Sequence, residues 1–457
     1  MSGLKRTYQP TRAALLGLSA GTSLASVCIV GLILIRKAAP GLWAFAAIVV
    51  AFLICRILAG VFAHLVKTVP SGAGMFAFVS RAWGPAAGIV IIAPYVVLMV
   101  LLGALEALIV GNLLQPAFSG WPYSGASPAW LACVFLVASW LICISGMRLG
   151  LRIQAVATWL LITGMIAGGV WMLLHADVSG GASAIFLTAP PPLASFANAV
   201  GQAVFLFMGF ELVCAQIETS DAQKISWALH GTVLLLAIVY GFVVLAGSAV
   251  TPPGPVADGI RIFLPAMASS SPGDMLPAIM IALCLLASIT SLNGAFMGLS
   301  RLIAVMAGQR VLPQVLAAIH APTLVPRRAV TLLLFACLLC VLIIDSFRLY
   351  QAVLFAAAVS AVTLYAIALL ISGKAPFVTP GMPRRRRSTA LRMLLVVVLL
   401  AIAAGVLIDS GPQFPAVASL LAVTYGAGLL ASLRFGFRAQ RKRTAASHAV
   451  PGGKNAS

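Results

Sequence analysis

Long apolar runs, broken only by glycine, proline or charge, dominate the sequence and limit the folds that are open to it. Because about 20 apolar residues cross a bilayer as a helix, these runs predict twelve transmembrane helices. Charged residues are 8% of the chain, against about 25% in soluble domains, which excludes a soluble globular protein. The runs are 13–35, 41–63, 85–114, 129–147, 153–174, 195–217, 226–250, 276–307, 329–345, 349–372, 390–409 and 413–434.

The charges between the runs predict the orientation of the chain. With the N-terminus inside, almost all Lys and Arg residues fall on the inner side, and the outer segments hold only Arg36, Lys37, Arg261 and Arg348. This positive-inside pattern predicts that both termini are cytoplasmic. It also accounts for the net charge of +20 without a nucleic-acid partner. No organelle or outer-membrane signal is visible, so a bacterial inner membrane is the expected location.

Two carboxylates lie within apolar runs, Glu106 in the third and Glu211 in the sixth. Ionisable residues inside a membrane usually face the bundle interior and mark the path of an ion or substrate. For Glu106 the alternative of a neutral side chain bonded to a neighbouring helix is equally open. For Glu211 we favour a functional role because of its surroundings.

Glu211 follows Phe207-Met208-Gly209-Phe210, where glycine beside aromatic and acidic residues indicates a helix break. The first run has a similar weak point over residues 18–23, which are small and polar. These two runs are five helices apart and therefore enter the membrane from opposite sides. Paired interrupted helices in two inverted halves point to the central site of a transporter. Close packing of small residues is the alternative for each motif alone.

The eighth run carries hydroxyl side chains, with Ser288 and Ser291 as candidates for lining a path or binding a cation. They are equally compatible with hydrogen bonds to their own helix. Cys337 and Cys340 have no second ligand pair nearby, so we expect no metal site there.

Three stretches of the sequence resemble the amino acid–polyamine–organocation (APC) superfamily of secondary transporters. The first is PSGAGMFAFVSRAWGP at 70–85, which is similar to the P-x-G-G-x-Y segment of the family before helix three. The second is Gly209-Phe-Glu211 followed by Glu218, and the third begins at Ser300-Arg301 and ends at Pro326. Their order and spacing extend the resemblance over nearly all of residues 13–435.

The resemblance implies an all-α integral membrane fold of about 12 transmembrane helices, with a 5+5 inverted repeat and discontinuous helices 1 and 6. It implies a cytoplasmic N-terminus (1–12), a first repeat (13–175), a second repeat (195–372), helices 11–12 (390–434) and a basic, disordered cytoplasmic tail (435–457). The tail and the run Arg384–Arg387 are also candidates for contact with membrane lipid, although we favour the alternative that they only anchor the topology.

The resemblance further implies transport of an amino acid or a related amine. The substrate carboxylate would lie on backbone N–H groups of Ala20, Gly21, Thr22 and Ser23. The amine would lie near carbonyl groups of Phe207, Met208, Gly209 and Phe210, and Phe210 would act as an aromatic gate.

Several positions depart from the family pattern. Gly21-Thr22-Ser23 replaces the G-x-G of the first helix, and His64 replaces the acid that ends helix two. Some proton-coupled members carry a lysine in helix five, and this chain has none near Leu161. Glu106 and Glu211 are therefore the proton-coupling candidates, with H⁺ as the expected coupling ion and Na⁺ as the alternative.

The sequence predicts a secondary active transporter that works by proton-coupled symport or exchange, without a cofactor. The alternative is a transporter-derived amino-acid sensor or partner-binding membrane protein that does not transport. An intramembrane enzyme is not expected, because the five histidines form no H-E-x-x-H pair and no G-x-S-x-G is present.

Overall fold

The computed structural model describes residues 9–118, 127–174, 188–250, 276–374 and 386–448. These ranges contain fourteen α-helices and no strand; an isolated bridge joins His320 to Val325. The helices are α1 (Arg12–Ser23), α2 (Ser26–Ala38), α3 (Leu42–Thr68), α4 (Met75–Trp83), α5 (Pro85–Phe118), α6 (Pro128–Ser145), α7 (Met147–Leu174), α8 (Leu193–Leu206), α9 (Ala222–Val250), α10 (Leu276–Gly308), α11 (Arg327–Phe347), α12 (Tyr350–Ser372), α13 (Arg386–Asp409) and α14 (Phe414–His448).

Eleven spans in the described ranges are long and apolar enough to cross a membrane. The first predicted run supplies the twelfth crossing as two short helices, α1 and α2, which each have too few residues to cross alone. The sixth crossing, Leu193–Glu218, is the most deeply enclosed, because its whole apolar window is buried in the bundle. The predicted all-helical membrane fold with about twelve crossings is therefore confirmed.

The first helix is interrupted at Leu24 and Ala25, where Ala25 takes an extended conformation. The sequence predicts unwinding earlier, over residues 18–23, and the structure corrects this, since α1 remains helical to Ser23. The hydroxyl groups of Thr22 and Ser23 donate to the carbonyls of Leu18 and Ser19, one turn back. These hydrogen bonds within the helix let small polar residues stay helical.

The sixth helix is interrupted at Phe207, Met208 and Gly209, as the sequence predicts. The chain continues as a 3₁₀ segment, Phe210–Glu218. Runs of 3₁₀ helix longer than three or four residues are uncommon and often mark a hinge or a strained stretch. The nine residues of this segment therefore distinguish it from an ordinary helix end.

Two further elements differ from the prediction. The segment 75–83, which lies between the predicted second and third runs, forms the short helix α4. The final helix α14 continues to His448, so residues 435–448 are helical rather than a disordered tail. Arg, Lys, Gln and Ala favour helix, and they extend a helix that is already nucleated. Residues 1–8 and 449–457 of the predicted terminal segments, and Arg384 and Arg385, lie outside the described ranges.

Candidate substrate site

A cavity of about 460 Å³ lies where the two interrupted helices meet. Five helices (α1, α2, α5, α8 and α10) and both breaks supply the wall. The lining residues are Thr22, Ser23, Ala25 and Cys28 from the first break; Phe205, Met208 and Gly209 from the second; Met99, Leu102, Gly103 and Glu106 from α5; and Ser291, Leu292 and Ala295 from α10.

Hydrogen bonds join the two breaks directly. The Ser19 hydroxyl donates to the Phe210 carbonyl at 3.0 Å, and the Ser23 hydroxyl donates to the Phe207 carbonyl at 3.2 Å. The Tyr240 hydroxyl on α9 reaches the carbonyls of Ser23, at 2.7 Å, and Leu206, at 3.2 Å. The ends of α1 and α8 are thus connected by side chains that are themselves buried.

Gly209 permits this close approach. Its φ of +106° is a conformation that side chains with a Cβ rarely adopt, and a Cβ built there would lie 3.2 Å from the Thr22 carbonyl oxygen. Gly294 on α10 has a similar role, since a Cβ there would overlap the Thr22 hydroxyl. Glycine at these two positions lets the backbones of the second break and of α10 approach α1 at Thr22.

The helix ends give the cavity two kinds of backbone partner. α1 and α8 finish there, and helix C-termini carry carbonyl groups and partial negative charge. α2 begins there, and a helix N-terminus presents N–H groups and partial positive charge. The first N–H groups of the 3₁₀ segment are already used, since Phe210 N–H donates to the Phe207 carbonyl and Gly209 N–H donates to Glu211. The same cavity can therefore accept an ammonium group on one side and a carboxylate on the other.

Glu106 is the only carboxylate among the described residues that line the cavity, and no lysine, arginine or histidine lines it. Its side chain is 1% exposed, and Ser288 donates to its Oε2 at 2.8 Å. Of the two serines singled out in the eighth run, Ser288 thus contacts the acid, and Ser291 lines the cavity.

Glu211 lies on the other side of the second break and lines a separate cavity of about 370 Å³ beside the 3₁₀ segment. Its Oε1 accepts the Tyr95 hydroxyl at 2.8 Å. Its Oε2 accepts the Tyr365 hydroxyl and the Gly209 N–H, both at 3.0 Å. Both oxygens are therefore satisfied by protein donors, which holds the carboxylate in place.

Phe210 lies in a fully buried aromatic cluster with Phe62 and Tyr365. Its ring meets Phe62 edge-on, with centroids 5.8 Å apart, and the ring of Tyr365 at 5.9 Å. Since Tyr365 also holds Glu211, the cluster and the carboxylate form one connected unit.

A buried arginine fixes the far end of the 3₁₀ segment. The Arg301 guanidinium on α10 donates to the Gln216 side chain at 2.6 Å and to the Ala215 carbonyl at 3.4 Å. It also contacts the sulfur of Met147 at the start of α7. Arg301 therefore joins three elements at the end of the bundle where α3 ends and α9 begins.

The predicted site residues divide into two groups. Thr22, Ser23, Met208, Gly209, Glu106 and Ser291 share the cavity wall, whereas Ala20, Gly21, Phe207, Phe210, Glu211 and Ser288 do not line it. A Cβ on Gly21 would overlap the side chains of Thr158 and Gln154 on α7, so Gly21 faces that helix instead. Phe207 packs against Tyr240.

Sequence reasoning missed Tyr95, Tyr240, Tyr365 and the buried role of Arg301. It also missed Gln154, whose amide donates to the Thr290 carbonyl and accepts from Asn293, linking α7 to α10. A tyrosine or glutamine in an apolar run was the available signal, because such a polar group needs a partner in lipid.

A third, mainly apolar cavity of about 610 Å³ lies behind α2. Ala25 and Cys28 belong to the walls of both this cavity and the site between the breaks. The described residues hold no group of three or more His, Cys, Asp and Glu side chains that could share a metal ion.

The sequence matches the family model described as "Amino acid permease" over residues 13–427. No curated protein matches the chain significantly. Among solved structures, the chain is similar to a manganese transporter of Eremococcus coleocola, determined with an aromatic bis-isothiourea compound. The TM-score is 0.60 at 14% sequence identity, covering 95% of this chain and 97% of that one. At this identity the likeness shows the fold, whereas the family match covers nearly the whole sequence, so the chain belongs to the amino acid permease family, within the APC superfamily.

Proposed function

We propose that this membrane transporter is a secondary active carrier of an amino acid or a related amine across the bacterial cytoplasmic membrane. It would work by alternating access, as a proton-coupled symporter or an exchanger. The cavity between the two helix breaks carries the proposal, because it presents N–H and carbonyl helix ends to one small volume.

The helix ends suggest how the substrate is held. We place its ammonium group against the carbonyl ends of α1 and α8, with Glu106 nearby. We place a carboxylate at the start of α2. The sequence placed the carboxylate on N–H groups of residues 20–23. We place it elsewhere, because these N–H groups lie in the last turn of α1, where helical hydrogen bonds use them. The carbonyls of Phe207 and Phe210 accept the hydroxyls of Ser23 and Ser19, so these two serines hold the carbonyls in place.

The two acids would have different roles. Glu106 lines the substrate cavity and is therefore placed to respond to the charge of the occupant. Glu211 is held by Tyr95, Tyr365 and Gly209 next to the aromatic cluster. A proton on Glu211 would turn one acceptor oxygen into a donor and force these partners to rearrange. We propose that Glu211 couples protonation to movement of Phe210 as a gate.

Uptake into proteoliposomes tests the proposal. Wild type, Glu106→Gln and Glu211→Gln would be compared with a panel of labelled amino acids and amines, with and without a proton gradient. We expect wild-type uptake of at least one panel member. If Glu211 carries the coupling proton, Glu211→Gln loses the stimulation by the gradient while retaining binding. Exchange would show as uptake stimulated by preloaded substrate.

Asp345→Asn is the matched control, because Asp345 is an exposed carboxylate bonded to a tyrosine, Tyr350, at the end of a helix. We expect this variant to transport like wild type. If the folded protein binds a panel member but moves none, the sensor alternative replaces the transporter. If it neither binds nor moves any, the assignment to amino acids and amines is wrong.

A further inference from the structure

An arginine lies exposed on the outer surface of a helix at membrane depth. Arg56 stands near the middle of α3, twelve residues before the helix ends at Thr68, which is about 18 Å along the axis. Its flanking surface residues Leu53 and Ile57 are exposed and apolar, as a lipid-facing surface requires. A guanidinium in this position is costly unless a polar or anionic group reaches it.

The side chain that contacts Arg56 is an imidazole rather than an acid. The Arg56 Nη1 lies 3.2 Å from the Nδ1 of His230 on α9. In the part of the chain that the structure describes, no carboxylate lies within ion-pair distance of Arg56. The imidazole can accept one hydrogen bond, but it cannot neutralise the charge.

The same surface continues as a groove of positive charge toward the end of α3. Gly60 and His64 follow Arg56 at intervals of four residues, so they share a face of the helix. A Cβ on Gly60 would contact only His230, at 3.9 Å, so the glycine leaves open space between the two helices. His64 and Lys67 are exposed beyond it. We call Arg56, Gly60, His64, Lys67 and His230 the α3–α9 groove.

The groove lies where headgroups meet acyl chains. Trp227 is 43% exposed one turn before His230, and amphipathic rings of this kind collect at the membrane interface. Farther from that interface, α9 exposes Leu234 at 52% and Ile238 at 57%. Cations therefore lie on the headgroup side and apolar side chains on the acyl side.

From this arrangement we propose that the α3–α9 groove binds an anionic phospholipid, with its phosphate on Arg56 and His230 and its acyl chains on the apolar residues above. A guanidinium matches a phosphate with two parallel hydrogen bonds. With the orientation proposed above, the lipid belongs to the cytoplasmic leaflet, where basic pockets between helices bind such headgroups.

A second copy of the chain fits this surface less well. Symmetric pairing through the groove would bring like charges together. The described carboxylate nearest in the sequence to the start of α9 is Asp221, and it already pairs with Lys224 at 3.9 Å. The charge balance therefore favours a lipid phosphate over a dimer.

Native mass spectrometry of the purified full-length protein tests the proposal. The probes are phosphatidylglycerol and phosphatidylcholine with identical acyl chains. We expect wild type to retain phosphatidylglycerol in preference to phosphatidylcholine. Arg56→Gln should weaken phosphatidylglycerol binding by about tenfold or more, since a hydrogen bond to a charged group is lost, and leave phosphatidylcholine binding unchanged. Arg152→Gln, an exposed arginine near the start of α7, is the control and should behave like wild type.

Two further variants cover the case in which Arg56→Gln does not fold. Arg56→Lys retains the charge without the bidentate geometry, and His230→Gln removes the imidazole; both should reduce the preference for phosphatidylglycerol. Unchanged preference in both variants would overturn the proposal. So would equal retention of the two lipids by wild type, or equal stabilisation by inorganic phosphate alone. A dimer that persists without lipid and dissociates in Arg56→Gln would assign the groove to a second copy instead. None of these outcomes depends on whether uptake is observed.

Discussion

At the scale of single residues, two buried carboxylates in one bundle have different surroundings. Glu211 has three protein donors on its two oxygens, whereas Glu106 lies in a cavity wall with Ser288 on one oxygen. The sequence identified both acids as unusual and favoured a functional role for Glu211, but it could not predict which groups hold each acid. The tyrosines that hold Glu211 are 116 and 154 residues away along the chain, and no local pattern reports contacts over such separations.

Gly209 offers a test at this scale. Gly209→Ala places a side chain at φ +106° and 3.2 Å from Thr22. We expect it to cost about 1–3 kcal/mol in the native backbone conformation and to reduce uptake more strongly than it lowers the thermal unfolding temperature, since the strain falls on the site itself. Gly426→Ala in α14, where a Cβ meets no atom within 4 Å, is the control and should be neutral or slightly stabilising. Full uptake by Gly209→Ala would show that the close approach of the breaks is dispensable.

At the scale of elements, the apolar runs predicted most helices within a few residues of their observed bounds. The position of the first break was predicted too early, because hydroxyl side chains can support a helix as well as interrupt it. The break at Leu24 and Ala25 carries no composition signal of its own. It is defined by the tertiary contacts of Ser23 with Phe207 in the second break and with Tyr240 on α9.

Tyr240 connects these elements, and its removal has a specific expected result. Tyr240→Phe takes a donor from the carbonyls of Ser23 and Leu206, which should cost about 1–3 kcal/mol of stability. It should also weaken the connection between the ends of α1 and α8. We therefore expect faster maleimide labelling of Cys28, which lines the cavity. Peptide mass spectrometry would measure labelling at Cys28 against the buried Cys143.

Tyr350→Phe is the matched control for that variant, because its hydroxyl donates to the exposed Asp345 at a similar distance of 2.8 Å. We expect no change in labelling there. Equal labelling of Cys28 in both variants would mean that Tyr240 does not hold the two broken helices together.

At the scale of the whole molecule, Arg301 joins α10, the 3₁₀ segment and the start of α7 at one end of the bundle. Alternating access requires such an end to open and close while the rest of the bundle stays packed. The sequence counted Arg301 only among the charges that set orientation. Its burial, at 8% exposure, depends on the packing of distant elements.

Removing the hydrogen bonds of Arg301 should shift the equilibrium between the open and closed states of the transporter. Arg301→Gln leaves the Gln216 side chain and the Ala215 carbonyl without their donor. We expect faster maleimide labelling of Cys214, which is 1% exposed and lines the cavity that contains Glu211. Substrate affinity should change in the same variant, since the open and closed states bind differently. Arg327→Gln, an exposed arginine at the start of α11, should leave labelling at the wild-type rate.

The single carboxylate in the wall of the substrate cavity has an electrical consequence. In the proposed transport cycle, an ionised Glu106 gives the empty carrier one negative charge in its substrate cavity, and a cationic amine cancels that charge when it binds. Reorientation of the empty form then moves charge through part of the membrane voltage, which is worth about 2.3 kcal/mol per charge per 100 mV, whereas reorientation of the loaded form moves almost none. Membrane voltage would therefore change the rate at which the empty carrier reorients and leave the rate of the loaded carrier unaffected. In Glu106→Gln, which lacks the charge, reorientation of the empty carrier would be insensitive to voltage, and reorientation of the carrier with its cationic occupant would be sensitive to it.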